Sequence, residues 1–227
     1  MARAVNQPAP VDLIPGKDPS LEVEHGFAAQ GHATVIGIDE VGRGAIAGPV
    51  AVGVAMIHTH SSSFPLGLRD SKLLSEKRRE TIEPLVAEWC LGYAVGTATA
   101  AEIDQHGITA MLGEAARRGL MALHEAGLPV TDSILLLDGD RDWVSPVLRS
   151  PLRVITRVKA DRDCASVAAA SVLAKVSRDR EMRAAHAEAP HYGWDSNKGY
   201  GAQAQYRGIE THGLTQMHRH TWIKSGR

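Results

Sequence analysis

Five short apolar runs of strand length punctuate this chain, and the segments between them decide the fold. Thr34–Asp39 and Val50–Ile57 are separated only by a glycine-rich turn, so they read as adjacent strands of one hairpin-like unit. Leu91–Thr97, Ser133–Leu137 and Leu152–Val158 follow at wider spacing, with helix-length segments in most of the gaps. Ser75 is placed to cap a helix from Glu76, and Thr99-Ala-Ala-Glu102 has the form of a capping box whose helix closes at Gly107. Pro84 is expected to break the helix from Glu76, or to restart it as the first residue of a second segment. Further helices are expected over about Thr109–Ala126, over Ala165–Ala189 and near Ala202–His212. Strands interleaved with capped helices predict an α/β domain with a central sheet of about five strands.

At 227 residues and 44% hydrophobic, the chain can bury its core as one domain. Met1–His32 is rich in Pro, Ala, Gln and Gly, and its weak periodicity predicts a partly ordered extension before a domain over residues 33–227. Cys90 and Cys164 stand far apart and in no Cys-x-x-Cys spacing, which argues against a disulfide framework or a zinc site and fits a reducing cytosol. No basic-then-apolar leader and no run of membrane-span length occurs, so a soluble, cytoplasmic protein is expected. The net charge of −1 decides nothing about a nucleic-acid partner. From Arg141 to Arg183, ten Lys/Arg stand against five acids, which suits a phosphate-facing surface or, equally, a solvated helix face of mixed ion pairs.

Acids gather where the strands end. Asp39 and Glu40 close the first run, Asp138 closes the fourth, and Asp161 stands just beyond the fifth. In open α/β sheets, ligands collect outside the carboxyl ends of strands. A single Asp at such a place, Asp138 before Gly139 included, is ordinarily a turn cap; it is the convergence that points to a site. Hard oxygen ligands suit Mg²⁺ or Mn²⁺, and four clustered carboxylates repel one another unless a cation or raised pKa values relieve them. Strand geometry puts Glu40 opposite Asp39, so both serve one ion only if the chain turns there, which Gly42 allows. Gly42-Arg43-Gly44 lets main chain and guanidinium approach a phosphate closely.

Gly37-Ile-Asp-Glu-Val-Gly-Arg-Gly44 with Ala47-Gly-Pro-Val50, Asp70-Ser-Lys-Leu-Leu-Ser75, Leu137-Asp-Gly139, and Lys159-Ala-Asp161 follow in order. Ala168-Ala-Ala-Ser-Val-Leu-Ala-Lys175 with Arg178-Asp179, Asn197-Lys-Gly-Tyr200 and His218-Arg219 complete the series. Each is weak alone, but as an ordered set from about residue 34 to 222 the chain resembles the bacterial ribonuclease HII family of type 2 ribonucleases H. The resemblance implies a ribonuclease H-like fold, a mixed sheet flanked by helices with a C-terminal helical part from about residue 190. It implies endonucleolytic cleavage of RNA in RNA–DNA hybrids and at single ribonucleotides in duplex DNA, with Mn²⁺ or Mg²⁺ as cofactor. The family's acidic quartet falls on Asp39, Glu40, Asp138 and Asp161, as catalytic and metal-binding residues. Gly42, Arg43 and Gly44 fall on its 2′-OH-contacting turn, Tyr200 on its junction-sensing tyrosine, and Lys72, Ser171 and Lys175 on phosphate-binding positions. A monomer without an obligate protein partner is expected.

Departures bear on particular residues. Lys-Ala-Asp161 stands where Lys-Gly-Asp is usual, and Asp163 is the alternative fourth acid; the spacing to Ser171 favours Asp161. Asn197 replaces a usual His and Gly201 a usual Pro, which touches the rigidity of the Tyr200 loop. The chain is also a few residues longer than usual between Asp138 and Asp161. Arg178 and Asp179 read as helix-surface ion pairs, and Trp89, Trp143, Trp194 and Trp222 as packing residues. His218 and His220 are a weak alternative metal pair. Without the family pattern, Ser171 in its Ala-rich helix is simply a small packing residue. The rival functions are a metal-dependent phosphatase on the same acids and a non-catalytic hybrid-binding module.

Overall fold

A computed structural model describes residues 18–223. Five strands, β1 (Thr34–Val41), β2 (Val50–His58), β3 (Gly92–Ala98), β4 (Ile134–Asp138) and β5 (Arg153–Arg157), make one mixed sheet in the order β3-β2-β1-β4-β5. β1–β2 and β2–β3 pair antiparallel, whereas β1–β4 and β4–β5 pair parallel. All five apolar runs are strands. The helices are α1 (Glu22–Ala29), α2 (Glu76–Trp89), α3 (Ala100–His106), α4 (Ile108–Glu125), α5 (Ala160–Asp163), α6 (Ala165–Glu188), α7 (Trp194–Asn197) and α8 (Gln203–His212). Among the described residues, no helix is long and apolar enough to cross a membrane.

Strand alternation divides the core in two. Val35, Ala55, Ile57, Ile134 and Leu136 face α6, α2 and α1, while Ile36, Ile38, Val52, Val54, Leu135 and Leu137 face α4. The Ala-rich sequence of α6 has a direct use, because it brings helix backbone down onto the sheet. A Cβ at Gly37 would lie 2.2 Å from the Ser166 carbonyl carbon, and one at Gly53 would lie 2.3 Å from the Ala170 oxygen. Only glycines in β1 and β2 permit this approach, and it holds the side chain of residue 39 against the same helix.

The capping signals act as expected. Ser75 accepts from the Arg78 N–H, Thr99 and Glu102 form a reciprocal capping box, and Gly107 ends α3 at φ 81°. Pro84 does not break the helix as expected; α2 runs through it from Glu76 to Trp89. Glu80 and Pro84 are both exposed, so the carbonyl left without an N–H donor faces water. Part of the expected N-terminal extension is ordered and packs on the domain. Residues 22–29 form α1, with Leu21 and Phe27 in the core and Glu24 fully buried. The Glu24 carboxylate accepts from the Ser166 N–H at 2.9 Å and its hydroxyl at 2.7 Å, which ties α1 to the start of α6. A short helix that buries one carboxylate has little apolar periodicity to reveal it. Residues 1–17, the rest of that expectation, lie outside the described residues.

Candidate active site

Asp39 and Asp138 project from the same face of the sheet. β1 and β4 pair in parallel up to Ile38 opposite Leu137, so the next residue of each strand is an acid beside an acid. Asp161 arrives on α5, a single turn that follows Lys159 in the left-handed region at φ 63°. Its N–H donates to the Asp138 carboxylate at 3.3 Å, which holds the two acids together. Asp163 instead pairs with Arg157 at 3.1 Å on the surface. β1 does not turn after Asp39, because Glu40 and Val41 remain in register with β2. Glu40, at the end of the strand, lies 3.5 Å from the Arg43 guanidinium and still lines the same cavity as Asp39 and Asp138 without a turn in the chain.

The charges explain what this cluster wants. Burial pushes the Asp39 carboxyl well above the usual range, Glu40 and Asp138 add to the rise, and Ser171 and Lys72 oppose it. Burial likewise raises Glu40, against the pull of Arg43 and with Asp138 adding to it. Asp138 is raised by burial and by the charge of Asp161. The cation among them is Lys72, whose Nζ donates to Asp161 at 3.0 Å. Burial works to lower the Lys72 pKa, but Asp39, Asp161 and Asp70 outweigh it and raise it. Its backbone N–H is held by the Asp70 carboxylate at 2.9 Å, which aims the side chain at the acids.

Hard oxygen donors, self-repelling and short of positive charge, fit a Mg²⁺ or Mn²⁺ site. Among the described residues, no three His, Cys, Asp or Glu groups stand close enough to hold an ion as they are.

Beside the acids lies a cavity of about 200 Å³, lined by Asp39, Glu40, the Gly42–Gly44 turn, Ser71, Lys72, Asp138, Lys175 and Tyr200. Gly42, at φ 81°, directs its N–H to the Tyr200 hydroxyl at 3.2 Å across 158 residues of sequence. The glycine turn and Tyr200 are thus joined, and Tyr200 is 40% exposed, open to a ligand. Lys175 lines the cavity and donates to Asp179 at 2.6 Å; burial lowers its pKa against the pull of that carboxylate. Ser171 is buried, with its hydroxyl turned to Asp39 and to Ser71 Oγ at 2.9 Å, inside the protein and not at the surface of the cavity. A larger cavity of about 480 Å³ lies beyond Pro49, near Asp104 and His220, and holds none of these residues.

Several expectations are corrected. Arg178 and Asp179 are not helix-surface pairs; both are buried. Asp179 collects Lys175 and Arg79, while Arg178 and Arg219 donate to main-chain carbonyls around the glycine turn. Spacing could have signalled Arg178, because Ser171, Lys175, Arg178 and Met182 recur at i, i+4, i+7 and i+11 on one helix stripe. The tryptophans are packing residues as expected: Trp143 and Trp194 are buried, and Trp89 and Trp222 pack partly buried against the core, Trp222 also 4.8 Å beneath the Arg219 guanidinium.

His218 and His220 are not a metal pair. His218 is packed against Tyr192 and Trp194, and its Nδ1 accepts from the Thr215 N–H at 2.9 Å. Burial, with His220 adding, pushes its pKa down to about 4. An unfolded histidine titrates near 6.5, so only the unfolded chain takes up this proton as pH falls from about 6.5 towards 4, and the fold loses stability over that window. Between pH 7 and 5 the expected loss is about 2 kcal/mol. His218→Asn keeps an acceptor for Thr215 and cannot be protonated, so it should flatten the dependence of Tm on pH there. An unchanged slope would remove His218 as the cause.

The family pattern of ribonuclease HII matches residues 36–225. The ribonuclease HII of Streptomyces griseus is 42% identical over 213 residues, covering 92% of this chain and 86% of its own length. Among solved structures, the ribonuclease H2 of Pyrococcus horikoshii superposes with a TM-score of 0.67 at 28% identity, over 83% of this chain and 93% of its own. Bst-RNase HIII in complex with Mn²⁺ reaches 0.68 at 26% identity, over 94% of this chain and 72% of its own. These likenesses agree with the mixed five-stranded sheet flanked by helices seen in this chain, a ribonuclease H-like architecture. With acids at adjoining strand ends, a glycine turn joined to Tyr200, and a match over nearly its whole length, the chain belongs to the ribonuclease HII family of metal-dependent endoribonucleases.

Proposed function

We propose that this enzyme hydrolyses the RNA strand of RNA–DNA hybrids and cuts duplex DNA on the 5′ side of a single embedded ribonucleotide, leaving a 5′-phosphate and a 3′-OH. Asp39 and Asp138 hold Mg²⁺ or Mn²⁺, and Glu40 and Asp161 complete the set. The metal supplies an activated water and charge stabilisation at phosphorus. The protein supplies position. Ser171 donates to Ser71 Oγ at 2.9 Å and so braces the segment that carries Lys72 from within. Lys72, displaced from Asp161, and Lys175 meet the phosphates flanking the scissile bond. The Gly42–Gly44 main chain and Tyr200 recognise the 2′-OH, the group that separates a ribonucleotide from its DNA neighbours.

The observation that carries this reading is the hydrogen bond from the Gly42 N–H to the Tyr200 hydroxyl, which joins the glycine turn and the tyrosine beside the carboxylates. A DNA duplex containing one ribonucleotide, incubated with Mn²⁺, Mg²⁺ or EDTA, tests it. The expected product is a single cut 5′ of the ribonucleotide with either ion and none in EDTA, while an all-DNA duplex stays intact. A ribonucleotide-containing duplex left whole under both metals would sink the reading. Turnover of small phosphate esters that ignores the 2′-OH would favour a phosphatase.

A further inference from the structure

Two arginines stand out for what they lack. Arg178, on α6, and Arg219 are fully buried, and every hydrogen bond their side chains make among the described residues goes to a main-chain carbonyl oxygen. A buried charge is a costly way to fill core volume, so what these two hold is informative. Arg178 donates to Pro49 O at 2.8 Å, Ala47 O at 3.1 Å and Lys198 O at 2.8 Å. Arg219 donates to Gly42 O at 2.6 Å, Arg43 O at 2.8 Å and Gly48 O at 3.2 Å. Their targets are the two ends of the loop that carries Gly42–Gly44 and the residue two positions before Tyr200.

The same atoms fix the aim of the tyrosine. The Arg178 guanidinium sits 5.7 Å over the Tyr200 ring, and a Cβ on Gly42 would come within 2.1 Å of Arg178 Nε. Ile46 and Ala47 N–H groups donate to Gly199 O at 2.9 and 3.0 Å, closing the loop onto the tyrosine segment. A planar guanidinium reaches three carbonyls in fixed directions, which a lysine's single nitrogen cannot span.

We infer that Arg178 and Arg219 are positioning residues for recognition of the ribose, holding the Gly42–Gly44 turn and Tyr200 at the spacing the cut requires. They touch no substrate themselves. The inference rests on the reading of that turn and Tyr200 as the 2′-OH-recognising unit.

The test is steady-state kinetics of Arg178→Lys, Arg219→Lys and Tyr200→Phe on the single-ribonucleotide duplex, with circular dichroism on each. Each lysine variant is expected to keep its fold and lose about 100-fold in kcat, the scale of an ångström's misplacement. Its KM should stay within about threefold, since the phosphate contacts are untouched. In a Tyr200→Phe background, Arg219→Lys should cost much less than it does alone, because both changes act through one contact. Tyr200→Phe that cuts like the parent would bring down the reading of the turn and tyrosine itself. With Tyr200→Phe impaired, parental kcat in both lysine variants, fully additive losses, or a lysine variant that has lost its fold at room temperature would each overturn the positioning role alone.

Discussion

Asp39→Asn is expected to abolish cleavage and, with no metal present, to leave a more stable protein. The two effects have one source. Asp39 is 3% exposed, and burial and the charge of Glu40 both raise its pKa in the fold. A carboxyl whose folded pKa lies above its unfolded value binds a proton more tightly when folded. Its contribution is then favourable at low pH and is lost as pH rises through the unfolded and folded values, so at neutral pH the charge opposes folding. Asparagine removes that charge, keeps nearly the same shape, and can still meet the Ser171 hydroxyl. It cannot replace a charged oxygen on a divalent ion. Turnover should fall by more than about 1000-fold, roughly 4 kcal/mol of transition-state stabilisation. Thermal unfolding in EDTA should show a higher Tm for the variant. Added Mn²⁺ should raise the parent's Tm, as any ligand of the folded state does, and move the variant less. Ordinary turnover, or a lower Tm in EDTA, would show that the charge is not held as described.

Gly42→Ala should be the other large loss. Gly42 sits at φ 81°, where an alanine is disfavoured by roughly 1–2 kcal/mol. The new Cβ also meets Arg178 Nε, and that guanidinium cannot swing aside because three carbonyls hold it. The turn must therefore shift, and with it the Gly42 N–H that Tyr200 accepts. The single-ribonucleotide duplex should be cut about 100-fold more slowly, and Tm should fall by about 2–8 °C. Gly44→Ala is the control for the fold, since a Cβ there meets nothing within 4 Å. If Gly42→Ala cut the duplex like the parent and unfolded at the same Tm as Gly44→Ala, the crowding at residue 42 would be of no consequence.

The strands were legible because each buried run is short, apolar and closed by glycine, an acid or a cap, which are local signals. The acids were legible as candidates for the same reason, and β4 brings Asp138 beside Asp39. Partnerships were not legible. Nothing near Lys72 in sequence indicates that its ammonium answers Asp161, 89 residues away. Arg178 and Asp179 illustrate the limit best, since adjacent opposite charges on a helix are ordinarily a solvated pair. Here they point to different neighbours, and both are buried because α6 is covered along most of its length. Pro84 erred in the opposite sense, because a rule about helix interiors holds less strictly where the orphaned carbonyl faces water.

One stripe of α6 touches both halves of the site. Ser171 holds Ser71 at the edge of the acid cavity, Arg178 grips the glycine loop, and Met182 packs where a Cβ on Gly48 or Gly199 would fall. Seven residues of helix separate Ser171 from Arg178, a rise of about 10 Å. The helix is therefore a ruler laid between the place of the cut and the place where the sugar is recognised. An exchange at an exposed position such as Ser177 can be absorbed locally. Loss of a single residue between those two marks would turn everything beyond it by about 100°, carrying Arg178 out of its pocket of carbonyls. The span between recognition and cleavage is thus held by residue count along this segment.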